Sequence, residues 1–359
     1  MISKPFSRRT FTIGTTTISD ASDCYVIAEI GHNHQGDVEK CKALFRAARD
    51  CGADAVKLQK RDNRSLFTAA MFNKPYENEH SFGATYGEHR EFLEFGRDEY
   101  VELQRYARDL GITFFATAFD VPSANFLAEL EMPCYKIASA DLKNIPLLQH
   151  VARIGKPMIV STGGALMEDI QRAYDAVAPI NPQLAFLHCT ATYPTQPEEM
   201  NLRVITTLRE RFPETVIGLS DHYNGIAMSV AAYVLGARII EKHLTLNHTW
   251  KGTDHALSLE PIGLSKMIRD LRRTRIALGD GIKRVLPAEA GPIRKMGKMI
   301  VAARDLPAGH VLTARDVAFK SPAEGLPPFE IDRVLGRALK QPLAADEPVR
   351  FEILEEVRR

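Results

Sequence analysis

The stretch from Gly218 to Leu246 reads GLSDHYNGIAMSVAAYVLGARIIEKHLTL, and it places a histidine at the same point of two consecutive repeats. His222 follows one short apolar run and His243 ends the next, with a helix-like segment between the two runs. An apolar, β-branched run followed by a segment of helical periodicity predicts a strand–helix unit. What the two imidazoles face therefore depends on how many such units the chain contains.

The same strand–helix unit occurs eight times between Cys24 and Asp280. The predicted strands are CYVIAEIG from Cys24, AVKLQ from Ala55, TFFATA from Thr113, CYKIAS from Cys134, PMIVST from Pro157, QLAFLHC from Gln183, TVIGLSD from Thr215 and RIIEKHL from Arg238. Eight units in about 260 residues predict an α/β fold of the (β/α)8, or TIM, barrel type. A doubly wound open sheet is the alternative, because strand order is not readable from the sequence.

Two segments do not fit the repeat. The link from Lys60 to Arg97 is long and polar, and a loop of that length on a compact barrel predicts an active-site lid. After Gly281 a linker with prolines and glycines leads into a segment with turn signals, short apolar runs and little helical periodicity. We therefore expect a barrel domain over residues 1–283, a linker over 284–297 and a small β-rich domain over 298–359.

Composition excludes several classes of protein. The 359 residues are 45% hydrophobic and 25% charged, with a formal net charge of +1, so neither nucleic acid nor an anionic membrane is an expected partner. No apolar run approaches the ~18 residues of a membrane span, and the N-terminal MISKPFSRRTFTIG lacks the apolar core of a signal peptide. Five scattered cysteines without a CxxC pair indicate reduced thiols and a cytoplasmic location.

Alternation along the strands predicts which side chains point into the barrel. In AVKLQ, Val56 and Leu58 share one face, which leaves Lys57 and Gln59 on the other. If the apolar faces meet the helices, the residues that point inward are Glu29, Lys57, Gln59, Lys136, Ser139, Ser220, His222, Glu241 and His243. Burying such charges without partners costs several kcal/mol each, so a purely structural core would not contain them. They lie near the carboxyl ends of the strands, where barrel enzymes carry out chemistry.

The inward residues fall into two chemical groups. His222 and His243 end neighbouring strands and can reach one cation; the carboxylates beside them favour an octahedral Mn²⁺-like or Mg²⁺-like site over closed zinc. The alternative is that each histidine is only hydrogen-bonded. Lys57 and Lys136 supply positive charge for a phosphate, unless they extend to solvent, and the hydroxyls that complete this anion site are those of Ser139, Ser161, Thr162 and Ser220. Together they predict a phosphorylated small substrate and an electrophilic oxygen held on a metal.

Nine motifs, in order, resemble those of the sialic acid (N-acetylneuraminate) synthase family. They are AEIGHNHQGD, KLQ, FFATAFD, YKIASADLKN, STGG, LHCTATYPTQPEEMNL, GLSDH, EKHLTL and TDHALSLEP. The tail resembles that family's small antifreeze-like (SAF) domain, which has a β-clip fold. The resemblance spans Tyr25 to Leu354, nearly the whole chain.

This resemblance implies a TIM barrel and a domain-swapped homodimer in which one subunit's tail covers its partner's site. The implied reaction condenses phosphoenolpyruvate with an open-chain amino-sugar aldehyde, typically N-acetylmannosamine, and releases phosphate. His222 and His243 match the ligands of Mn²⁺, which Mg²⁺ or Co²⁺ can replace. The positions that match phosphoenolpyruvate-binding residues are Lys57, Lys136, Ser139, Ser161 and Ser220. The positions that match residues near the sugar and the reacting centre are Glu29, Gln59, Tyr193, Glu241 and Asp254. Either Glu29 or Glu241 is the candidate for handling the proton of the attacking water.

The chain departs from the family's motifs at three places, and the one in the tail bears on the sugar. Ala140 replaces a glycine, and Ala191 replaces an asparagine that is a possible contact to phosphoenolpyruvate. In the tail, the family's sugar-binding arginine aligns with Ser321, and Lys320 stands beside it as the candidate substitute. The product could therefore be a different nonulosonic acid, or the sugar substrate a hexose without an acetamido group.

Two other functions were weighed against this one. The first is a related phosphoenolpyruvate-dependent synthase that makes 3-deoxy sugar acids from a sugar phosphate. It would require an arginine-rich phosphate site, and the sequence indicates no such cluster at the strand ends. The second is a non-catalytic binding protein, in which the charges inside the barrel would have no role.

Overall fold

The structure, a computed structural model, describes residues 9–355. The prediction that a signal peptide is absent rests on the N-terminal segment. Most of that segment, residues 1–8, lies outside the described range. The chain divides into two compact units, and the boundary along the sequence falls between Gly279 and Asp280. None of the helices within the described range is long and apolar enough to cross a membrane.

A β-hairpin that the sequence analysis did not predict precedes the barrel. Its strands, β1 (Thr10–Ile13) and β2 (Thr16–Ser19), pair in antiparallel fashion across a turn at Gly14, which has a φ of 56°. Phe11 and Ile18 of the hairpin are buried against apolar residues inside the barrel, such as Ile27. The hairpin therefore closes the amino-terminal end of the barrel.

Within residues 9–355, eight parallel strands close into a single barrel. They are β3 (Tyr25–Gly31), β4 (Ala55–Lys60), β5 (Thr113–Ala118), β6 (Tyr135–Ile137), β7 (Met158–Ser161), β8 (Leu184–Cys189), β9 (Val216–Asp221) and β10 (Ile239–His243). Each strand pairs with the next along the chain, and β10 pairs back with β3 through the register His243 to Glu29. The predicted TIM barrel is confirmed, and the open sheet is wrong.

The helices between the strands lie where their periodicity predicted them. They are α1 (Val38–Cys51), α5 (Arg97–Leu110), α6 (Val121–Glu129), α7 (Ile145–Ile154), α8 (Met167–Val177), α10 (Val204–Arg211), α11 (Ala227–Val234) and α12 (Pro261–Leu278), with the short α9 (Pro197–Met200) before α10. Helix α1 shows why the boundaries fall where they do. The carboxylate of Asp37 accepts a hydrogen bond from the backbone N–H of Lys40, and Gly52 ends the helix with a φ of 88°.

The segment between β4 and α5, predicted as a polar loop, contains three short helices. They are α2 (Asn63–Leu66), α3 (Ala69–Phe72) and α4 (Tyr86–Phe92). Helix α4 begins with a capping box between Thr85 and Glu88, a signal that is visible in the sequence TYGEH. The segment is therefore ordered by its own caps, and it brings charged side chains to the top of the barrel.

Two layers of buried apolar side chains stabilise the barrel. The outward side chains of the strands, including Val26, Ala28, Val56 and Leu58, are buried against the helices, as the alternation predicted. Inside the barrel, apolar side chains fill only the lower part, next to the hairpin. The upper part holds the polar side chains instead, and this division leaves room for a pocket.

The second unit is small and contains a two-stranded antiparallel sheet. Strands β11 (Met299–Ala302) and β12 (Val317–Lys320) pair, and isolated bridges extend the pairing. Ile300 and Val334 lie in a separate apolar core within this unit. The segment predicted as a linker contains the helix α13 (Ala290–Met296).

Candidate active site

A pocket of about 460 Å³ opens at the carboxyl ends of the barrel strands. Of the site residues that the sequence predicted in the barrel, it brings together all but Thr162: Glu29, Lys57, Gln59, Lys136, Ser139, Ser161, Tyr193, Ser220, His222, Glu241, His243 and Asp254. Tyr193 is 56% exposed and lies at the mouth, whereas the charged residues of the strands are buried. The size falls within the range of small-molecule sites.

Four buried charges form the floor of the pocket. Lys57 Nζ lies 2.7 Å from Glu29 Oε2 and 3.6 Å from Glu241 Oε1. Lys136 Nζ lies 3.6 Å from the same oxygen of Glu241. Two ammonium groups and two carboxylates thus share one small space, and each carboxylate faces a lysine from a neighbouring or opposite strand.

Hydroxyls surround the two lysines. Lys57 donates a hydrogen bond to Thr117 Oγ1 (2.8 Å), and Lys136 donates to Ser161 Oγ (2.7 Å). The backbone N–H of Gly163 donates to Ser139 Oγ (3.0 Å), which holds that hydroxyl at the pocket wall. Thr162 was expected to join this group, but it does not line the pocket, and its hydroxyl donates to the carbonyl of Leu187 (3.0 Å). Ammonium and hydroxyl groups in this arrangement can hold a phosphate or a carboxylate.

The pKa values of the two floor carboxylates shift in opposite directions. Burial raises the pKa of Glu241, but the ammonium groups of Lys136 and Lys57 outweigh it and lower that pKa to about 2. Burial also raises the pKa of Glu29, and there the opposing effect of Lys57 is too small to reverse it, so that the pKa stays above its ordinary value. Carboxylates whose pKa values are driven apart are suited to different roles. Glu241 is a permanent anion, and Glu29 is the group fit to exchange a proton.

His222 and His243 face each other across the strand ends, with ring centroids 5.4 Å apart. His222 Nδ1 lies 3.1 Å from the carbonyl oxygen of Thr190, and a hydrogen bond there leaves Nε2 as the free nitrogen. His243 Nδ1 is buried without a hydrogen-bond partner, and the nearest carboxylate oxygen, on Asp254, is 3.7 Å away. Free imidazole nitrogens that share one small space fit a divalent cation.

The protein supplies few ligands for such a cation. Within residues 9–355, no three His, Cys, Asp or Glu side chains are grouped as a metal site would require. A cation held here would have two imidazoles as its protein ligands, as a catalytic site with open positions does and a closed structural cage does not.

Arginines at the pocket mouth were missed by the sequence analysis. Arg61, immediately after β4, and Arg90, on α4, line the pocket together with His32. The expectation that no arginine cluster stands at the strand ends is wrong. Arg61 continues the inward alternation of Lys57 and Gln59 by one step, so its position could have been predicted from the sequence. Arg90 reaches the pocket only through the folding of the long segment between β4 and α5.

Lys320, the remaining predicted site residue, ends β12 in the second unit. Its ammonium pairs with Asp346, and it is half-exposed. The neighbouring Ser321 accepts a hydrogen bond from Lys298 Nζ (2.5 Å). The predicted contact between Lys320 and a sugar stays a prediction.

Comparison with known proteins gives matches over both units. The chain matches the model of the NeuB family over residues 44–283 and the model of the SAF domain over residues 297–355. It is 43% identical over 333 residues to the N-acetylneuraminate-9-phosphate synthase of Homo sapiens, and the alignment covers 92% of this chain and 93% of that protein. It is 34% identical over 339 residues to the N,N'-diacetyllegionaminic acid synthase of Legionella pneumophila, with 92% and 95% covered.

A solved structure agrees with these matches. The N-acetylneuraminic acid (sialic acid) synthetase of Leptospira borgpetersenii, in complex with citrate, is 33% identical to the chain and superimposes with a TM-score of 0.69. The match covers 80% of this chain and 95% of that one.

Proposed function

The chain belongs to the NeuB family, and from this premise we propose that its pocket joins phosphoenolpyruvate to the aldehyde of an open-chain amino sugar. The product is a nonulosonic acid, and phosphate is released. The observation that carries the proposal is the buried floor, where Lys57 and Lys136 meet Glu29 and Glu241 beside two histidines. A chain that only bound a sugar would have no use for these charges, which disfavours the non-catalytic alternative.

The floor residues match the charges of phosphoenolpyruvate. Lys57 and Lys136 neutralise its phosphate and carboxylate, while the hydroxyls of Ser139, Ser161 and Ser220 can donate hydrogen bonds to its oxygens. Both lysines are buried and already point at carboxylate oxygens, so little rearrangement is needed when an anionic substrate enters.

The two carboxylates then divide the work of the reaction. The enol carbon of phosphoenolpyruvate forms a bond to the aldehyde carbon, the π bond of the aldehyde breaks to leave an alkoxide, and a cation forms at the neighbouring carbon. The permanent anion of Glu241 stabilises this cation. Water adds to it, and Glu29 takes up the proton of that water and passes it to the alkoxide. The C–O bond of the tetrahedral intermediate then breaks, and phosphate leaves with that electron pair and the hydroxyl proton as the ketone forms. Gln59 donates a hydrogen bond to Glu29 Oε1 (2.7 Å) and so orients this carboxylate.

His222 and His243 are the residues that would hold a divalent cation, which we infer to be Mn²⁺, replaceable by Mg²⁺ or Co²⁺. When bound, such a cation polarises the aldehyde oxygen and makes its carbon electrophilic. Asp254 and Tyr193 border this end of the pocket and are the candidates to position the sugar. The support for the site is the unpartnered Nδ1 of His243 and the fixed orientation of His222.

We also propose a cytoplasmic homodimer in which the SAF domain of one subunit covers the partner's pocket, with Lys320 near the sugar. The family resemblance of the tail supports this arrangement. Mixing His222→Ala subunits with subunits that lack the SAF domain, each expected to be inactive alone, tests it, because the mixed dimer would contain one site with a sound barrel and a sound tail. Activity above that of either variant is expected, and no recovery after proven subunit exchange would contradict the swapped dimer.

The proposed reaction is tested with phosphoenolpyruvate, Mn²⁺ and a panel of hexoses with and without acetamido groups, each also as its 6-phosphate. The expected result is phosphate release that depends on an added sugar, together with a product whose mass is that of the sugar plus pyruvate. Release without any condensed product would contradict the proposal. The relatives named above differ in whether the product bears a phosphate, so family membership leaves the state of the sugar's far end open.

A further inference from the structure

One side chain at the pocket mouth is connected to the floor by two hydrogen bonds in series. Arg61 Nη2 donates to Gln59 Oε1 (2.7 Å), and Gln59 Nε2 donates to Glu29 Oε1 (2.7 Å). Gln59 and Arg61 both face the interior, because they are two residues apart on β4 and its continuation. A guanidinium group thus reaches, through one amide, the carboxylate that is fit to exchange a proton.

The chemistry of the guanidinium group decides which way the Gln59 amide points. A guanidinium group has five N–H donors and no acceptor, so the amide satisfies it only with its oxygen. The NH₂ group of the amide must then point the other way, towards Glu29. If the amide turned round, a donor would face a donor and an oxygen would face the carboxylate. Arg61 therefore ensures that Gln59 offers a donor to Glu29.

Arg61 is itself held on several sides. Its side chain is buried, and its guanidinium carbon lies 3.7 Å from the centroid of the Phe119 ring. Its Nη1 lies 3.2 Å from His32 Nε2 and 4.0 Å from Glu94 Oε1, which balances its charge. Burial and the nearby Arg90 lower the pKa of Arg61 to about 10, which leaves it protonated at neutral pH. The guanidinium group is therefore fixed and charged before any substrate enters.

The bond from Gln59 is the contact that Glu29 can keep during the reaction. The other oxygen of Glu29, Oε2, lies 2.7 Å from Lys57 Nζ, and in the proposed reaction that ammonium group turns to the anionic groups of phosphoenolpyruvate. Gln59 then holds Oε1 and leaves Oε2 as the oxygen that takes up the proton. Gly31 makes room for this bond, because a Cβ there would lie 3.3 Å from both Gln59 Nε2 and Glu29 Oε1.

We propose that Arg61 is a positioning residue for the reaction, which fixes the Gln59 amide and, through that amide, the carboxylate of Glu29. The inference rests on the proposed function, in which Glu29 takes up the proton of the attacking water. Without Arg61 the amide is free to turn, and Glu29 then loses its donor or meets an oxygen. Arg61 therefore acts on the rate of the reaction and not on the binding of either substrate.

The first test is kinetic and uses Arg61→Met, which removes the donor and nearly keeps the length of the side chain. Its kcat should fall by about 10- to 100-fold, the equivalent of one charge-assisted hydrogen bond, while the KM for phosphoenolpyruvate and that for the sugar each change by less than about threefold. Arg61→Lys keeps a group that only donates and should have an intermediate kcat. Arg64→Gln is the control, because Arg64 is exposed and pairs with Glu91. It should keep the wild-type kcat.

The Gln59→Leu background separates this role from a direct one. If Arg61 acts only through the amide, adding Arg61→Met to Gln59→Leu should change kcat by less than about twofold. Two losses that multiply in the double variant would overturn the proposal, since Arg61 would then act on the reaction by another route. A rise in KM with kcat unchanged in Arg61→Met would also overturn it, because the arginine would then bind substrate.

The second test does not depend on activity. In protein labelled with ¹⁵N-glutamine, the side-chain amide signals of Gln59 are those that disappear in Gln59→Leu. Solvent exchange of these amide protons should be at least about tenfold faster in Arg61→Met than in the wild-type protein, and an unchanged rate would overturn the proposal. Thermal unfolding midpoints show whether the variants are folded, and Arg61→Lys, measured in the same two ways, replaces Arg61→Met if that variant is not. Absence of condensed product with every sugar of the panel would count against the proposed reaction instead, and the exchange rate would still show whether Arg61 fixes Gln59.

Discussion

Two clusters of buried lysines and carboxylates lie on opposite faces of strand β10, one of them against β9 and the other inside the barrel. On the outward face, Lys242 Nζ is 3.1 Å from Asp221 Oδ2, and both side chains are fully buried. Asp221 also accepts hydrogen bonds from Ser229 Oγ (2.7 Å) and from the backbone N–H of Tyr223 (2.9 Å). On the inward face, Glu241 is 3.6 Å from each of two lysines, and its Oε2 has no hydrogen-bond partner.

The difference separates a structural cluster from a functional one. In the outward cluster, which we call the sealed pair, Lys242 and Asp221 are satisfied by each other and by neighbouring groups, and neither residue lines the pocket. The inward cluster is equally buried but incompletely satisfied, and it borders a pocket. Buried polar groups are almost always hydrogen-bonded, so a set of unsatisfied ones beside a cavity indicates a place where a ligand completes the bonding.

The largest expected effect is on the inward face. His222→Ala or His243→Ala should reduce product formation by at least about 100-fold, because even the outer partners of metal ligands cost 10- to 100-fold when removed. The unfolding midpoint should change little, since neither imidazole is part of the apolar core. Product mass and thermal unfolding check this. His150→Ala, at a half-exposed position on α7 bonded to Asn125, is the control. Full activity in chelator-treated wild-type protein would show that the histidines do not serve a metal.

A smaller effect is expected at the floor. Lys57→Met and Lys136→Met should each lower kcat/KM for phosphoenolpyruvate by about 10- to 100-fold, the equivalent of one charge-assisted contact. Steady-state kinetics with each substrate varied in turn separates this effect from any on the sugar. If the KM for the sugar changed and that for phosphoenolpyruvate did not, the lysines would belong to the sugar site.

The sealed pair should behave in the opposite way. Lys242→Met leaves Asp221 buried without its counter-charge, which costs about 3–5 kcal/mol of unfolding free energy. Adding Asp221→Leu should recover part of the loss, because a buried ion pair replaced by apolar groups of similar size is close to neutral. Urea unfolding measures both. Lys136→Met should cost less, since Glu241 keeps Lys57 as a counter-charge 3.6 Å away. Equal losses on the two faces would break the comparison.

The sequence predicted the inward face better than the outward one. Alternation within short β-branched runs located Glu29, Lys57 and Glu241, because each stands opposite an apolar neighbour. The same rule assigned outward positions to the apolar core, and so it had no place for Lys242 and Asp221, whose partners are each other. The mouth arginine from α4 and the hairpin were also missed. Their positions depend on contacts between segments distant in the chain, and local periodicity carries no information about such contacts.

Acid offers the most graded test of buried groups that are satisfied in only one protonation state, because its effect per pH unit is small. His34 stacks on Phe95, with ring centroids 4.2 Å apart, and its Nδ1 accepts a hydrogen bond from the backbone N–H of Gly36 (3.0 Å). Burial lowers the pKa of His34 to about 3, below its ordinary value of 6.5. The unfolded chain therefore binds a proton at this residue below pH ~6.5, whereas the folded protein does not until pH ~3.

Stability should thus fall as the pH decreases through this window, by about 1.4 kcal/mol per pH unit for this histidine, and should be unaffected by it above the window. His34→Gln, whose amide oxygen can accept the same hydrogen bond, should make the dependence of the urea midpoint on pH shallower between pH 6 and 4. The half-exposed His150, replaced by Gln, is the control and should leave the slope as it is. An unchanged slope in His34→Gln would mean that the folded protein accommodates a charge on His34. Burial alone would then not separate satisfied groups such as the sealed pair from the unsatisfied groups of the pocket.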